Sequence, residues 1–386
     1  MSARERPKLD TLTSLRFFAA SMVFLFHYAR GFADAPDWFM SLTSHGFAAV
    51  TFFFVLSGFI LAYSYLDDEK PDHFKGTRQA FWISRVARIY PLYLTALVVA
   101  LPSYIYATAH GRNSLSDTAL GLGLVPTMVQ AWIPRIAIEW NPPAWSLSVE
   151  AVFYVLFPFL IRREARWNAR TLFLLSFAFV CFVSITSERL WHLKVRGPVT
   201  INYNWRNFLH YFPLLHLPSF LVGMALGLMF VKRSPGGPGL QTLAFWGSFV
   251  ALIGVSVGRS ALPDLFYSQP VLILLFCAVI YFGAKTAAGQ RDQVLCHPLL
   301  VRLGDASYAM YILQAPLASW FEFLLKKLSK VNNWMDSPWL VAIFFILLVS
   351  ISIFSFEFIE KPFRRLIQAR FRRPAPSILK QVGVVA

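Results

Sequence analysis

The sequence predicts an all-α polytopic bundle of about ten membrane-spanning helices with both termini cytosolic, and three observations carry that expectation. Hydrophobic residues fill 56% of the 386 positions and charged residues only 15%, against about 25% charged in an ordinary soluble domain. Apolar runs long enough to cross a bilayer, roughly 17–25 residues, recur from one end of the chain to the other. The basic residues, which set a formal net charge of +16, stand in short clusters between those runs, as at the cytosolic edges of membrane helices. Basic residues scattered this way do not form one basic face, so no nucleic-acid partner is expected.

In chain order the candidate spans are 12–30, 46–66, 88–109, 144–161, 171–188, 209–231, 240–258, 269–284, 305–325 and 338–358. A further apolar run at 118–133 is short and broken by Pro126 and Pro134, and reads as a re-entrant or interfacial helix. With ten spans and a cytosolic N-terminus, 24 of the 36 Lys and Arg residues fall on the inside. An eleventh span would place "IRREARWNAR" (161–170) outside and reverse every later loop. The bias is weakest at 189–206, expected as an outer loop. "ADA" at 33–35 resembles a signal cleavage site, but His27 and Arg30 interrupt the run before it, so the first helix is expected to stay. Residues 1–386 read as a single membrane domain with its core at about 9–366 and a basic cytosolic tail at 367–386; the short "SPGGPG" (234–239) is a loop, and no fused soluble domain is expected. Cys181, Cys277 and Cys296 show neither metal-ligand spacing nor a disulfide framework.

Within this apolar background a few polar residues stand out. In the first span Arg16 and His27 are eleven residues apart, within about 20° of one another around a helix and about 16 Å apart along it; Arg30 falls near the same stripe. Ionisable residues in membrane helices face the protein interior or a water-filled cavity. Two readings stay open: a snorkelling arginine with a hydrogen-bonded interior histidine, or a histidine serving as general base. In "FFFVLSGFIL" (52–61) the Ser57–Gly58 pair allows close helix approach, with a ligand-facing role as the lesser alternative. In "FWISRVARIYPLYL" (81–94) Arg85 and Arg88 share one face at the entrance to the third span. Two guanidiniums so placed can clamp phosphate, although headgroup and topology charge accounts for most arginines there. In "NPPAWSLSVEAVFYVLFP" (141–158) Glu150 is a carboxylate inside an apolar span, with Ser146 one turn earlier on its face; a buried carboxylate needs either a structural ion pair or a functional reason. Asp305 and Ser307 in "LGDASYAMYILQAPL" (303–317) read as a helix start, and Glu360 in "FIEKPFRR" (358–365) as the cytosolic exit of the last span. Neither a Gly-rich phosphate loop nor H-E-x-x-H nor G-x-S-x-G occurs.

The ordered set "SLRFFAASMVFLFHY", "FFFVLSGFIL", "RVARIYPLYL" and "WSLSVEAVFY", followed by "LGDASYAMYIL" and "EKPFRR", resembles the acyltransferase 3 family of membrane O-acyltransferases over nearly the whole chain. The resemblance implies transfer of an acyl group, usually acetyl, from acetyl-CoA on the cytosolic side to a hydroxyl of a carbohydrate. The acceptor class is exopolysaccharide, lipopolysaccharide O-antigen or a lipid-linked glycan. It implies a bacterial inner-membrane protein, no permanently bound cofactor and no metal. It assigns His27 as general base or acyl-handling residue, Arg16 as its partner, and Glu150 as the acidic residue after W-S-L. Arg85 and Arg88 become the coenzyme A phosphate site, with Trp145 and Ser146 joining the substrate-binding residues. The bilayer and the two substrates are the expected partners, with a second copy or glycan-assembly proteins also compatible. Two departures stand out: Gln314 occupies a place where relatives carry a histidine, and the fused soluble domain of many relatives is missing from this chain. A transporter, with the intramembrane His, Arg and Glu as an ion pathway, is the rival reading, and an inactive scaffold of a glycan export complex is the third.

Overall fold

The computed structural model describes residues 6–371 except 30–31, 33–34, 68, 71–72, 165–166, 195–198, 233–237, 259–267, 289–293, 330 and 332. Arg30, most of the 234–239 loop and the tail beyond 371 therefore lie outside the described residues. Among the described residues the regular structure is helical, apart from an isolated bridge between Leu66 and Phe74. The first half comprises α1 (Asp10–Tyr28), α2 (Asp37–Ser44), α3 (Ala48–Tyr65), α4 (Arg78–Ala109), α5 (Leu115–Leu124), α6 (Trp145–Glu164) and α7 (Ala169–Lys194). The second half comprises α8 (Val199–Tyr211), α9 (Pro213–Lys232), α10 (Pro238–Val257), α11 (Gln269–Ala288), α12 (Pro298–Asp305), α13 (Ser307–Ser329), α14 (Pro338–Ser355) and α15 (Lys361–Phe371). A π-helical turn, Phe356–Glu360, joins the last two.

Eight stretches among the described residues are long and apolar enough to cross a membrane, which makes this a multi-pass membrane protein. The two remaining expected spans exist as helices, α1 and α13, but fall below that standard of length and composition. The 118–133 run forms no span: α5 has ten residues and gives way to short 3₁₀ turns. Each turn is anchored by nearly inaccessible residues, Val125, Gln130, Ala131 and Ile136, while Thr127, Trp132 and Arg135 are exposed.

Three boundaries correct the sequence reading. The 189–206 stretch is not a loop: α7 runs on to Lys194 and α8 begins at Val199. Asp305 does not start a helix but ends α12, with Ser307 opening α13. The third helix begins at Arg78, capped by the Thr77 hydroxyl accepting from the Ala80 amide at 3.2 Å, so Arg85 and Arg88 lie two turns and more inside it. Apolar scoring trims such an amphipathic first turn, whereas the cap ties the backbone there.

Small residues and prolines set the packing. A Cβ on Gly58 would come within 2.1 Å of the Phe220 carbonyl oxygen, and one on Gly223 within 1.9 Å of that of Val55. So α3 and α9 pack backbone to backbone, a contact only glycine permits. Pro158 and Pro316 lie inside α6 and α13 and donate no amide hydrogen, which frees the carbonyls of Tyr154 and Ile312 four residues earlier. Both freed oxygens are met from other elements. The Trp82 indole of α4 donates to Tyr154 O at 2.9 Å, and the Asn141 side chain donates to Ile312 O at 3.1 Å. The first bond locks α4 to α6, and the second ties the 3₁₀ segment to α13.

The helices α1 and α3 run antiparallel. The Arg6 guanidinium donates to the carbonyls of Tyr63 and Leu66 at one end. At the other, a Cβ on Gly46 would meet Met22 O and Phe26 Cβ. Interpolated between these anchors, Arg16 stands level with about Phe54 and His27 beyond the start of α3.

Candidate functional site

A cavity of about 350 Å³ opens among α1, α3, α4, α6, α13 and α15. It gathers residues that the sequence scatters over 350 positions: Arg16, Arg85, Arg88 and Arg364 against Glu150 and Asp305, with Ser57, Ser146, Tyr154, Tyr308 and Tyr311 between them. Four guanidiniums facing two carboxylates leave its walls net positive, a field that favours an anionic guest.

The helix α3 serves as a ruler along the wall. At one end the Arg85 Nη2 donates to the Tyr65 hydroxyl at 3.3 Å, and its guanidinium lies over the rings of Tyr65, Phe81 and Tyr154 at 5.7, 5.7 and 5.9 Å. Three aromatic faces hold the cation by their quadrupole attraction, and its Nε donates to the Ser84 hydroxyl at 3.3 Å. Further along, Glu150 Oε1 accepts from the Ser57 hydroxyl at 3.4 Å and from the Tyr154 hydroxyl one turn away. Further still, the Phe53 and Tyr311 rings meet edge to face at 6.3 Å. With 1.5 Å of rise per residue, these stations stand about 12 and then about 6 Å apart. Along this ruler Arg85 stands at the Tyr65 end, Glu150 at Ser57, and Phe53 with Tyr311 at the other, while Arg16 and apolar side chains such as Ile60, Leu61 and Val50 also line the walls.

Behind the charged wall is a group read from sequence only as a topology marker. Glu360 is 2% exposed, and its field acts on both Arg16 and Arg88. The π-helical turn explains its direction. Glu357 pairs outward with the Lys361 amine at 2.8 Å and faces the Arg302 guanidinium at 3.9 Å, while the altered pitch turns Glu360 inward; π turns recur at functional sites for such re-aiming. The "EKPFRR" stretch, expected to mark only a membrane exit, therefore supplies both a buried counter-ion and the Arg364 of the cavity lining.

Of the seven site residues expected from sequence, the structure gathers Arg16, Arg85, Arg88, Ser146 and Glu150 in one cavity. Trp145 is outside that lining: it packs against Phe47, Phe54, Tyr211 and His216 with ring centroids 5.0–6.1 Å apart, as a buttress behind Ser146. His27 is also outside it. It is exposed in the last turn of α1, beside Phe26 and Tyr28. Glu150 does not orient it, since the carboxylate is engaged by Ser57 and Tyr154 about 16 Å back along the ruler. The Ser57–Gly58 pair divides its labour: Gly58 packs and Ser57 faces the cavity. Of the residues the sequence passed over, Tyr154 had a visible signal, one turn after Glu150 on the same face; Arg364, Tyr308 and Tyr311 had none. Gln314 is 2% exposed; its amide donates to Tyr311 O at 3.0 Å, while its backbone oxygen accepts from the Tyr28 hydroxyl at 3.2 Å. It thus links the deep end of the cavity to the neighbour of His27. Among the described residues no group of three or more His, Cys, Asp or Glu side chains is arranged to hold a metal ion.

Comparison with known proteins supplies the context for this geometry. A family model described as an acyltransferase domain matches residues 9–357. The chain is 31% identical over 317 residues to a protein named acyltransferase MdmB from Streptomyces mycarofaciens, covering 79% of this chain and 78% of that one. It is 23% identical over 380 residues to the peptidoglycan O-acetyltransferase OatA of Listeria monocytogenes, covering 93% of this chain but 56% of OatA. No solved structure matches.

Proposed function

Because the chain belongs to the acyltransferase family whose model spans residues 9–357, and is a membrane O-acyltransferase, we propose that it moves an acetyl group from acetyl-CoA to a hydroxyl of a cell-surface or lipid-linked carbohydrate. We place it in the bacterial inner membrane with both termini cytosolic. The observation that carries this reading is a net-positive cavity that puts four guanidiniums, hydroxyls and apolar side chains in one lining. A coenzyme A thioester has matching parts: anionic phosphates, an amide-bearing pantetheine arm and an acyl group. Arg85 and Arg88, joined by Arg364, take the phosphates through charge-assisted hydrogen bonds. The arm then follows α3 past Ser57, Glu150 and Tyr154. Arg16, level with about Phe54, adds a further positive charge along the path of the anionic donor.

At the far end of α1, about 16 Å of helix rise past Arg16, His27 takes the proton of the acceptor hydroxyl as its oxygen attacks the thioester carbonyl carbon, which the donor's arm must carry on from Arg16 to the level of the base. The carbon–sulfur bond then breaks, and the coenzyme A thiolate recovers that proton. An acceptor too large for the cavity requires an exposed base, and His27 is exposed. That the relatives' names specify acyl and O-acetyl transfer supports the reaction class. Mass spectrometry of surface glycans from a deletion strain, complemented with wild type or His27→Ala, tests it. Wild type should restore one acetyl mass per modified unit and His27→Ala should not; restoration by a well-expressed His27→Ala protein would overturn the mechanism.

A further inference from the structure

Behind the cavity wall, α15 turns a second charged surface away from the bundle. From Pro338, α14, the π turn and α15 run on for 34 residues, about 51 Å of helix against a hydrocarbon core of about 30 Å. Trp339 is 80% exposed in the first turn, the place of an interfacial aromatic anchor, and about 30 Å further along stands Ile359. Hydrocarbon therefore ends where α15 begins. The exposed side chains agree: those of α14 and the π turn, Ile343, Ile346, Phe354 and Phe358 among them, carry no charge.

Within Lys361–Arg370 the residues divide around the axis. Lys361, Arg364, Ile367 and Gln368 are half-buried, on the side where α15 packs along α4 and Arg364 enters the cavity lining. Phe363, Arg365, Leu366, Ala369 and Arg370 are exposed and, at about 100° per residue, lie on the opposite arc. Phe363, Leu366 and Arg370 follow at i, i+3 and i+7, a stripe that is apolar nearest the bilayer and cationic further out, with Arg365 on its flank. Helical side chains lean toward the N-terminal end of their helix, here the bilayer side, so both arginines reach back to phosphate level. Among the described residues no ion pair engages either: Glu357 is taken by Lys361 and Arg302, and Glu360 is buried on the other side. The sequence from Lys361 to Arg373 holds six Lys or Arg and no Asp or Glu.

We propose that this outer face of α15 is a binding site for an anionic phospholipid of the adjoining leaflet. Arg365 and Arg370 take the lipid phosphate through charge-assisted hydrogen bonds, and Phe363 and Leu366 lie against the upper part of its acyl chains. A zwitterionic headgroup brings an ammonium to the same two guanidiniums and an anionic one does not, so the site selects net negative charge, by about fivefold for each arginine. The site is independent of the reaction assigned above. It holds α15 from the side opposite Arg364.

The test is photo-crosslinking of the full-length protein in nanodiscs of three parts phosphatidylcholine to one part phosphatidylglycerol. A diazirine side chain replaces Ala369, between the two arginines, and mass spectrometry identifies the adducts. The ratio of phosphatidylglycerol to phosphatidylcholine adducts should exceed the bilayer ratio at least about tenfold, by the increment of two arginines. Arg365→Gln/Arg370→Gln should bring it back to within twofold of the bilayer ratio. A probe at Gln368, on the bundle side, should give the same protein–protein adducts in both proteins and so reports an intact fold. Should the double variant not fold, each single variant, expected to lose about fivefold, still decides. Adducts in proportion to the bilayer composition at position 369 would overturn the site. So would adducts to the protein's own chain in place of lipid, which would mean that the chain covers this face. Displacement of the lipid adduct by added coenzyme A would also overturn it, by giving the two arginines to the coenzyme A phosphates.

Discussion

The two ionisable residues of α1 share one helical face, yet the bundle places them in opposite surroundings. Arg16 faces a cavity crowded with charge, where Arg88, Glu360, Asp305 and Glu150 all act on it. His27, eleven residues on, is exposed beyond two aromatic rings. One end lines a cavity with net positive walls, which favour an anionic guest; the other is open to a partner that need not fit inside. An enzyme that joins a small, uniform donor to a large acceptor calls for this asymmetry. Enclosure lets fixed charges act at low dielectric, whereas a bulky acceptor excludes enclosure.

The largest expected effect breaks this comparison if it fails. Replacing His27 by alanine should lower acyl transfer at least about 100-fold, the low end of what a general base contributes. Coenzyme A affinity should stay within about twofold by calorimetry, because the donor end is untouched. A parallel loss of donor affinity would mean the two ends are one site. Arg88→Ala should do the reverse, weakening coenzyme A by about 10–100-fold, the scale of a hydrogen bond to a charged group. The loss should shrink as salt screens the remaining cations. Smaller and opposite in sign is Glu360→Gln. Removing an anion that competes for Arg16 and Arg88 should tighten coenzyme A about fivefold, the order of one screened charge interaction, while the ligand-free protein melts earlier. Weaker binding instead would make Glu360 an organiser of the arginines rather than their counter-ion. The smallest effect sharpens the frame that holds the donor end. Trp82→Phe leaves the Tyr154 carbonyl freed by Pro158 without its indole donor, and should cost about 1–3 kcal/mol of stability, read by thermal unfolding.

Much of this arrangement was legible in the residues. Arg16, Arg85, Arg88, Ser146 and Glu150 are anomalies in apolar segments, and helix periodicity alone put Arg16 with His27 and Ser146 with Glu150. Those inferences need only the 3.6-residue repeat, a property of a few neighbouring turns. Trp145 shows the limit: adjacency to Ser146 in sequence put it in the site, but successive residues on a helix point about 100° apart, and it turns to the core. Glu360 shows a second limit. Its outward neighbour Glu357 and its inward direction depend on a π turn that no composition rule anticipates.

By itself, then, the sequence determined the helical class, the membrane character and which side chains were too costly to be idle in hydrocarbon. Only the tertiary structure decided which of them meet. A buried charge can be compensated from any helix that packs beside it, and the carboxylates that act on Arg16 come from α6, α12 and the π turn before α15, more than 300 residues away at the farthest. Helix packing also left His27 outside the cavity that Arg16 lines, although the sequence shows the two only as neighbours on one stripe.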